Sequence, residues 1–220
     1  MKSYFPRTPN VIMRFFSKYT WRFSLAKKEI YLTFDDGPTP EITDFVLDQL
    51  KKHNAKATFF CIGKNTVNHP EIFNRILSDK HSIGNHTQNH LNGWKIPKDD
   101  YLENVLECEN VISTEMEKSQ ISKLKSQNLK LFRPPYGKIR SSQAKEILKK
   151  GYKIIMWDVL SADFDTSISK EKCLDNVLKN TKNGSIIVFH DSIKAAEKLR
   201  FVLPKVLEEF TKNRFTFKAI

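Results

Sequence analysis

From Glu29 onward, short runs rich in β-branched and aromatic residues alternate with longer stretches in which apolar side chains recur every three or four positions. The short runs, at residues 29–34, 57–62, 81–85, 131–133, 153–157, 185–189 and 215–220, predict strands. Between them Ile42, Phe45, Val46, Leu47 and Leu50 share a helical spacing, and Ile72, Ile76 and Leu77 do the same behind Pro70. Further helices are predicted over 99–118, 142–150, 170–180 and 195–211. Such alternation within 220 residues predicts one α/β domain of parallel strands joined by helices, either a barrel or an open doubly wound sheet. The stretch 119–130 is polar, basic and poorly periodic and reads as a surface loop; no internal repeat or linker divides the chain.

Composition narrows the class. With 40% apolar and 28% charged residues the chain is neither a disordered polyelectrolyte nor a membrane-spanning protein, and its longest apolar runs, such as 186–189, fall far short of the roughly 20 residues a bilayer needs. The net charge of +12 favours anionic surfaces, whether nucleic acid, acidic glycan or lipid head group. Nucleic-acid binding would need a basic groove interleaved with aromatics, and only residues 1–28 resemble one, so it is not expected. Those 28 residues hold seven basic side chains, seven aromatics and no acid, and are set apart as an N-terminal segment before a domain at 29–220. Arg14, Lys18 and Arg22 interrupt every apolar stretch that a secretory signal would need, so the segment is read as uncleaved. Its spacing suits a strap whose aromatics pack on the domain better than a single amphipathic face; the alternative is a peripheral anchor on anionic lipid. Cys61, Cys108 and Cys173 are odd in number and far apart, which argues against a disulfide framework.

The reactive residues collect where predicted strands end, the edge at which α/β folds assemble their sites. The first strand runs into Asp35-Asp36-Gly37-Pro38, two adjacent carboxylates that repel unless a cation or proton lies between them. His86 and His90 follow the third strand; on one helical turn they would share a face and reach one metal, and two imidazoles with one carboxylate leave coordination positions open, as in a catalytic zinc site. Arg133-Pro134-Pro135-Tyr136-Gly137 forms a rigid turn after the fourth strand. Asp158, Asp163 and Asp165 follow the fifth and His190-Asp191 the sixth, and a histidine with a carboxylate partner can serve as a general acid near neutral pH.

Taken in order, TFDDGP, HTQNH, RPPYG, the SADF acid and the FHD histidine resemble the five motifs of the polysaccharide deacetylase family, the carbohydrate esterases with a NodB-like homology domain. The resemblance spans residues 29–220. It implies a distorted (β/α) barrel, usually of seven parallel strands, and a divalent metal held by Asp36, His86 and His90, commonly zinc, with cobalt, nickel or manganese as alternatives. It implies further that Asp35 is the general base, that Arg133 orients it, and that the Tyr136 backbone N–H helps bind the oxyanion. His190 corresponds to the general acid and Asp163 to the acid that tunes it. Phe164 and Leu160 stand where the family usually has Trp and a further acid, and Val188 where it has Leu; an altered groove with an apolar acetyl pocket is expected.

The function so implied is metal-dependent removal of N-acetyl groups from N-acetylglucosamine units of a carbohydrate substrate, either peptidoglycan or a chitin-like oligosaccharide. A hydrolase of another amide or an O-acetyl ester, and a non-catalytic glycan binder, remain as alternatives. Trp94 reads as a core residue, with sugar stacking as its other reading. A cytoplasmic or membrane-peripheral location is the expectation, and nothing in the sequence fixes the oligomeric state.

Overall fold

The computed structural model describes residues 4–119 and 130–220. Strands β1 (Glu29–Asp35), β2 (Ala57–Cys61), β3 (Ser82–Asn85), β4 (Leu131–Phe132), β5 (Lys153–Ile154), β6 (Val159–Leu160) and β7 (Ile186–His190) form one sheet in the order β5-β4-β3-β2-β1-β7-β6, and a short β8 (Thr216–Phe217) pairs with the start of β1. Every pairing among them is parallel. The sheet curls into a distorted barrel surrounded by α2 (Ile42–Lys52), α3 (Gly63–Asn68), α4 (Pro70–Ser78), α5 (Lys98–Lys118), α6 (Ser141–Lys149), α7 (Lys170–Leu178) and α8 (Ala196–Lys212), while α1 (Asn10–Phe15) precedes it.

The barrel has the burial of a sheet covered on both faces. Every residue of β2 is buried, as are the last four of β1. Phe34 stacks between Phe59 and Phe189 at ring separations of 5.1 and 5.9 Å, tying the three central strands together. Helices α2 and α8 turn inward the apolar faces that their spacing predicts, Val46, Leu47 and Leu50 from one, Leu199, Val202, Leu203, Val206 and Leu207 from the other.

Two expectations need correction. Seven strands lie along the main path, but β6 is one of them and had no strand pattern, whereas the predicted 215–220 strand is the lateral β8. Only two residues of β6 pair, too few to display an alternation. The predicted 153–157 strand pairs over Lys153–Ile154 alone, because the next residues serve other partners: the Met156 N–H donates to the Thr20 carbonyl, and the Ile155 and Met156 carbonyls accept from the Arg133 guanidinium. The predicted loop at 119–130 lies outside the described residues except for Ser119, which ends α5, and Lys130.

The N-terminal segment is laid across the gap between the edge strands. Thr20 bridges to Ile155 beside β5, Arg7 to Val159 of β6 and Arg22 to Ser185 before β7. Met13 and Trp21 are buried against Tyr101, Phe132 and Tyr152, while Val11 and Phe15 on the outer side of α1 are 72% and 81% exposed. Cys61, Cys108 and Cys173 are all buried and free. Among the described residues, no helix is long and apolar enough to cross a membrane.

Candidate metal centre and active site

Parallel register brings the chemistry together. Asp35, the last residue of β1, lies level with His190, the last of β7, and Phe132 at the end of β4 lies level with Asn85 at the end of β3. The residues that follow these strands, Asp36, His86 and Arg133, therefore emerge at one carboxyl edge.

Past β1 the chain turns through Asp36, whose φ of 85° is in the left-handed region. The turn is held from below by Asp191, a fully buried carboxylate that accepts the Gly37 N–H at 3.0 Å and the Thr43 hydroxyl at 2.6 Å, and from the side by Asn65, whose amide donates to the Asp36 carbonyl at 2.7 Å. A Cβ on Gly37 would sit 2.0 Å from Asp191 Oδ2, so only glycine fits. Burial pushes the Asp191 carboxyl up to about 7, with Asp36 adding to the shift and the Thr43 hydrogen bond opposing it.

The two histidines do not share a helical turn as expected. Residues 86–90 form a loop with Thr87 and His90 at φ of 64° and 55°. Side chains supply the bonds that a helix would have given: Asn85 Oδ1 accepts the Thr87 N–H at 2.8 Å, Asn104 Oδ1 the Asn89 N–H at 3.0 Å, and Thr87 Oγ1 the Leu91 N–H at 3.1 Å. The loop still brings both rings to Asp36, whose Oδ1 lies 3.2 Å from His90 Nε2 and 3.7 Å from His86 Nε2.

These residues suit a divalent metal. One donor atom from each of Asp36, His86 and His90 lies within 4.8 Å of the others, and Asp36 Oδ1 is buried without a well-aligned hydrogen bond, the position of an atom awaiting a cation. His86 Nδ1 donates to the Arg133 carbonyl at 2.8 Å, which leaves the Nε2 lone pair facing Asp36. Burial pushes the His86 imidazole down to about 4, so it is neutral, the form that ligates. For Asp36 burial opposes ionisation, but the close approach of His90, together with His190 and His86, outweighs it and holds the carboxyl below its ordinary range.

Just past β4, Arg133 is wholly buried with each of its three guanidinium nitrogens hydrogen-bonded. Nη1 donates to Asp35 Oδ1 and to Thr33 Oγ1, each at 2.7 Å, Nε to the Ile155 carbonyl at 3.1 Å and Nη2 to the Met156 carbonyl at 2.9 Å, while the guanidinium lies 4.1 Å from the Phe60 ring centre. A cation so fixed pins one oxygen of Asp35 and leaves the other available. The Pro135–Gly137 turn holds Tyr136 at φ 61°, its side chain 60% exposed and its ring 4.6 Å from that of His90.

Opposite, His190 Nδ1 donates to Asp163 Oδ1 at 2.7 Å and its backbone N–H to Asp163 Oδ2 at 2.8 Å. Burial alone would depress this imidazole; the fully buried Asp163 overcomes it and raises the pKa to about 9, helped by Asp36 and Asp35. His190 is thus a cation at neutral pH with Nε2 as its free ring nitrogen.

Asp35, Asp36, His86, His90, Tyr136 and His190 line a cleft of about 770 Å³, with Arg133 and Asp163 behind its wall. Leu160, Phe164 and Val188 give it an apolar side, to which Trp157 and Tyr4 add. Asp191, Thr33, Thr43 and Asn65 went unassigned, because a supporting side chain is visible only once the strands are side by side. Trp94 is not core: it is 57% exposed beneath Lys138, its indole N–H donates to the Ile139 carbonyl at 3.3 Å, and it does not line the cleft.

The polysaccharide deacetylase family model matches residues 24–155. A peptidoglycan-N-acetylglucosamine deacetylase of Bacillus cereus is 38% identical over 177 residues, 80% of this chain but 61% of that protein, so the chain spans about three fifths of its length. A second B. cereus protein of the same description is 34% identical over 202 residues, 91% of this chain and 90% of its own. Among solved structures, a peptidoglycan N-acetylglucosamine deacetylase in complex with 4-naphthalen-1-yl-N-oxidanyl-benzamide matches with a TM-score of 0.83 at 32% identity, covering 97% of this chain and 95% of that one. The family match and the shared fold agree, and the chain belongs to the polysaccharide deacetylase family.

Proposed function

We propose that the protein is a metal-dependent hydrolase that removes N-acetyl groups from N-acetylglucosamine units of a glycan, either peptidoglycan or a chitin-like oligosaccharide. One observation carries the proposal: the β1/β7 register sets Asp35 level with His190 in the cleft that also receives the Asp36, His86 and His90 donors. Amide hydrolysis needs a base for water on one side of the carbonyl and a proton for a poor amine leaving group on the other.

Asp35 takes the proton from water through the oxygen that Arg133 leaves free, and Arg133 fixes that carboxylate in place. His190, cationic through Asp163, gives its Nε2 proton to the departing amine. The Tyr136 backbone N–H, in a turn fixed by Pro135 and Gly137, is the donor for the oxyanion, a contribution of about 2.7–4 kcal/mol in other hydrolases. Leu160, Phe164 and Val188 take the acetyl methyl. Held by Asp36, His86 and His90, a divalent metal, zinc by the chemistry of its donors, supplies a Lewis acid for the carbonyl and lowers the pKa of water.

The test is acetate release, followed by mass spectrometry, from N-acetylglucosamine oligomers and peptidoglycan fragments, with Asp35→Asn alongside. Release by the zinc-loaded protein and none by Asp35→Asn is the expected result. Absence of release from every glycan by protein with bound zinc would refute the substrate class, and equal glycan affinity in both proteins without turnover would mark a binder.

The same reading suggests where the protein works. Val11 and Phe15 project from α1 beside exposed Arg14 and Lys18, a pairing suited to an anionic lipid surface at which cell-wall precursors are handled. Sedimentation with phosphatidylglycerol vesicles but not phosphatidylcholine vesicles is expected, and no sedimentation with either would remove this part.

A further inference from the structure

One wall of the cleft comes from the far end of the chain. Tyr4 lines it, although the family match begins only at residue 24. Its ring meets Phe164 edge-on at 5.9 Å, and Phe164 meets His190 edge-on at 5.1 Å. The Tyr4 hydroxyl donates to Asp165, whose Oδ1 is itself fixed by the N–H and hydroxyl of Ser167 at 2.9 and 2.7 Å. Burial first, and then Asp165, push that hydroxyl up to about 12, so it stays a neutral donor throughout the working pH range.

The backbone behind Tyr4 is equally fixed. The Pro6 carbonyl accepts the Leu160 N–H at 2.9 Å, Arg7 pairs antiparallel with Val159, the Thr8 N–H donates to the Asp158 carbonyl at 2.8 Å, and the Thr8 hydroxyl donates to the Trp157 carbonyl at 2.8 Å. The four partners run consecutively from Trp157 to Leu160, and the two outer ones line the cleft themselves. An aromatic ring held at both its hydroxyl and its backbone loses little entropy on meeting a ligand. Phe164, where the family usually has the larger Trp, thereby gains a second ring beside it.

We infer that Tyr4 is a specificity-determining residue that contacts glycan, its ring packing on the pyranose of a sugar adjoining the one that loses its acetyl group. The inference rests on the proposed glycan substrate, and it gives the N-terminal segment a part in substrate choice besides that of closing the barrel.

The test compares wild type, Tyr4→Ala and Tyr4→Phe for calorimetric binding of the N-acetylglucosamine pentamer and for acetate release from monomer to pentamer, with thermal melts to establish folding. Tyr4→Ala should weaken pentamer binding and raise its KM about three- to tenfold, the range of one aromatic contact, with kcat and the pH profile unchanged. Tyr4→Phe, which keeps the ring, should restore most of the loss. Equal pentamer binding and KM in folded Tyr4→Ala would overturn the inference. So would a fall in kcat with a shifted alkaline limb, since the ring would then act through Phe164 on His190. If the wild type binds pentamer, Tyr4→Ala weakens that binding and neither releases acetate, the hydrolase reading falls while this one stands.

Discussion

His190 shows how much one neighbour decides. Desolvation alone would make the half-buried imidazole lose its proton readily, yet Asp163 holds it cationic to a pKa of about 9. Because the leaving amine needs the protonated form, activity should fall as pH rises through that value, and Asp163→Asn should move the alkaline limb of kcat/KM down toward about 6.5, the unperturbed imidazole value. An unmoved limb would show that Asp163 does not tune the acid. The same pair affects stability. A folded pKa above the unfolded 6.5 gives a contribution complete below pH 6.5 and lost as pH rises toward 9. Metal-free wild type should therefore lose stability from pH 7 to 9, on the order of 3 kcal/mol at most, and Asp163→Asn should show a flatter profile in urea titrations at each pH. Asp35, Asp36, His86, His90, Arg133, Asp163 and His190 could all be found in the sequence because each sits in a short motif after a strand. Asp191 stands in such a motif too, but its role as a support could not be read there, since its partners Gly37 and Thr43 lie about 150 residues away and meet it only through the β1/β7 pairing.

At the scale of elements, the site depends on turns more than on the strands they join. The Asp36–Gly37 turn leaves no room for a side chain above Asp191. Gly37→Ala should therefore cost about 1–3 kcal/mol by overpacking, a fall in Tm of several degrees for a domain of this size, and should weaken zinc binding in a chelator competition because Asp36 moves with the turn. Unchanged Tm and zinc affinity together would show that the turn relaxes freely. Turns also explain where the expected secondary structure failed. Histidines four apart suggested a helix, but the left-handed Thr87 and His90, secured by Asn85 and Asn104, produce the same convergence from a loop. Spacing fixes that two rings can meet, not the backbone by which they do. The strongly periodic helices α2 and α8 were legible because burial alone decides their faces.

For the molecule as a whole, the decisive feature is a barrel whose sheet does not close on itself. β5 and β6 are edges, and an unpaired edge invites association with another chain. The N-terminal segment covers this gap with bridges at Arg7, Thr20 and Arg22, and secures itself by burying Met13 and Trp21. Trp21 also donates its indole N–H to the Phe16 carbonyl at 3.0 Å, which fixes the chain reversal after α1. Its aromatics thus divide by role: Trp21 is 9% exposed and Phe15 81%. Composition could not make that division, since both stand in the same basic, acid-free stretch. Trp21→Ala should destabilise the protein by about 3 kcal/mol, in the range for losing a buried aromatic, and raise its tendency to aggregate as the strap loosens from the β5 edge. Phe15→Ser, on the outward side of the same segment, should leave the denaturant midpoint within about 0.5 kcal/mol of wild type. Urea melts and light scattering on the two variants distinguish a strap from a passive tail: equal, small effects would mean that the barrel holds without its N-terminal closure, whereas a large loss confined to Trp21→Ala would make the first 28 residues part of the fold that carries the site.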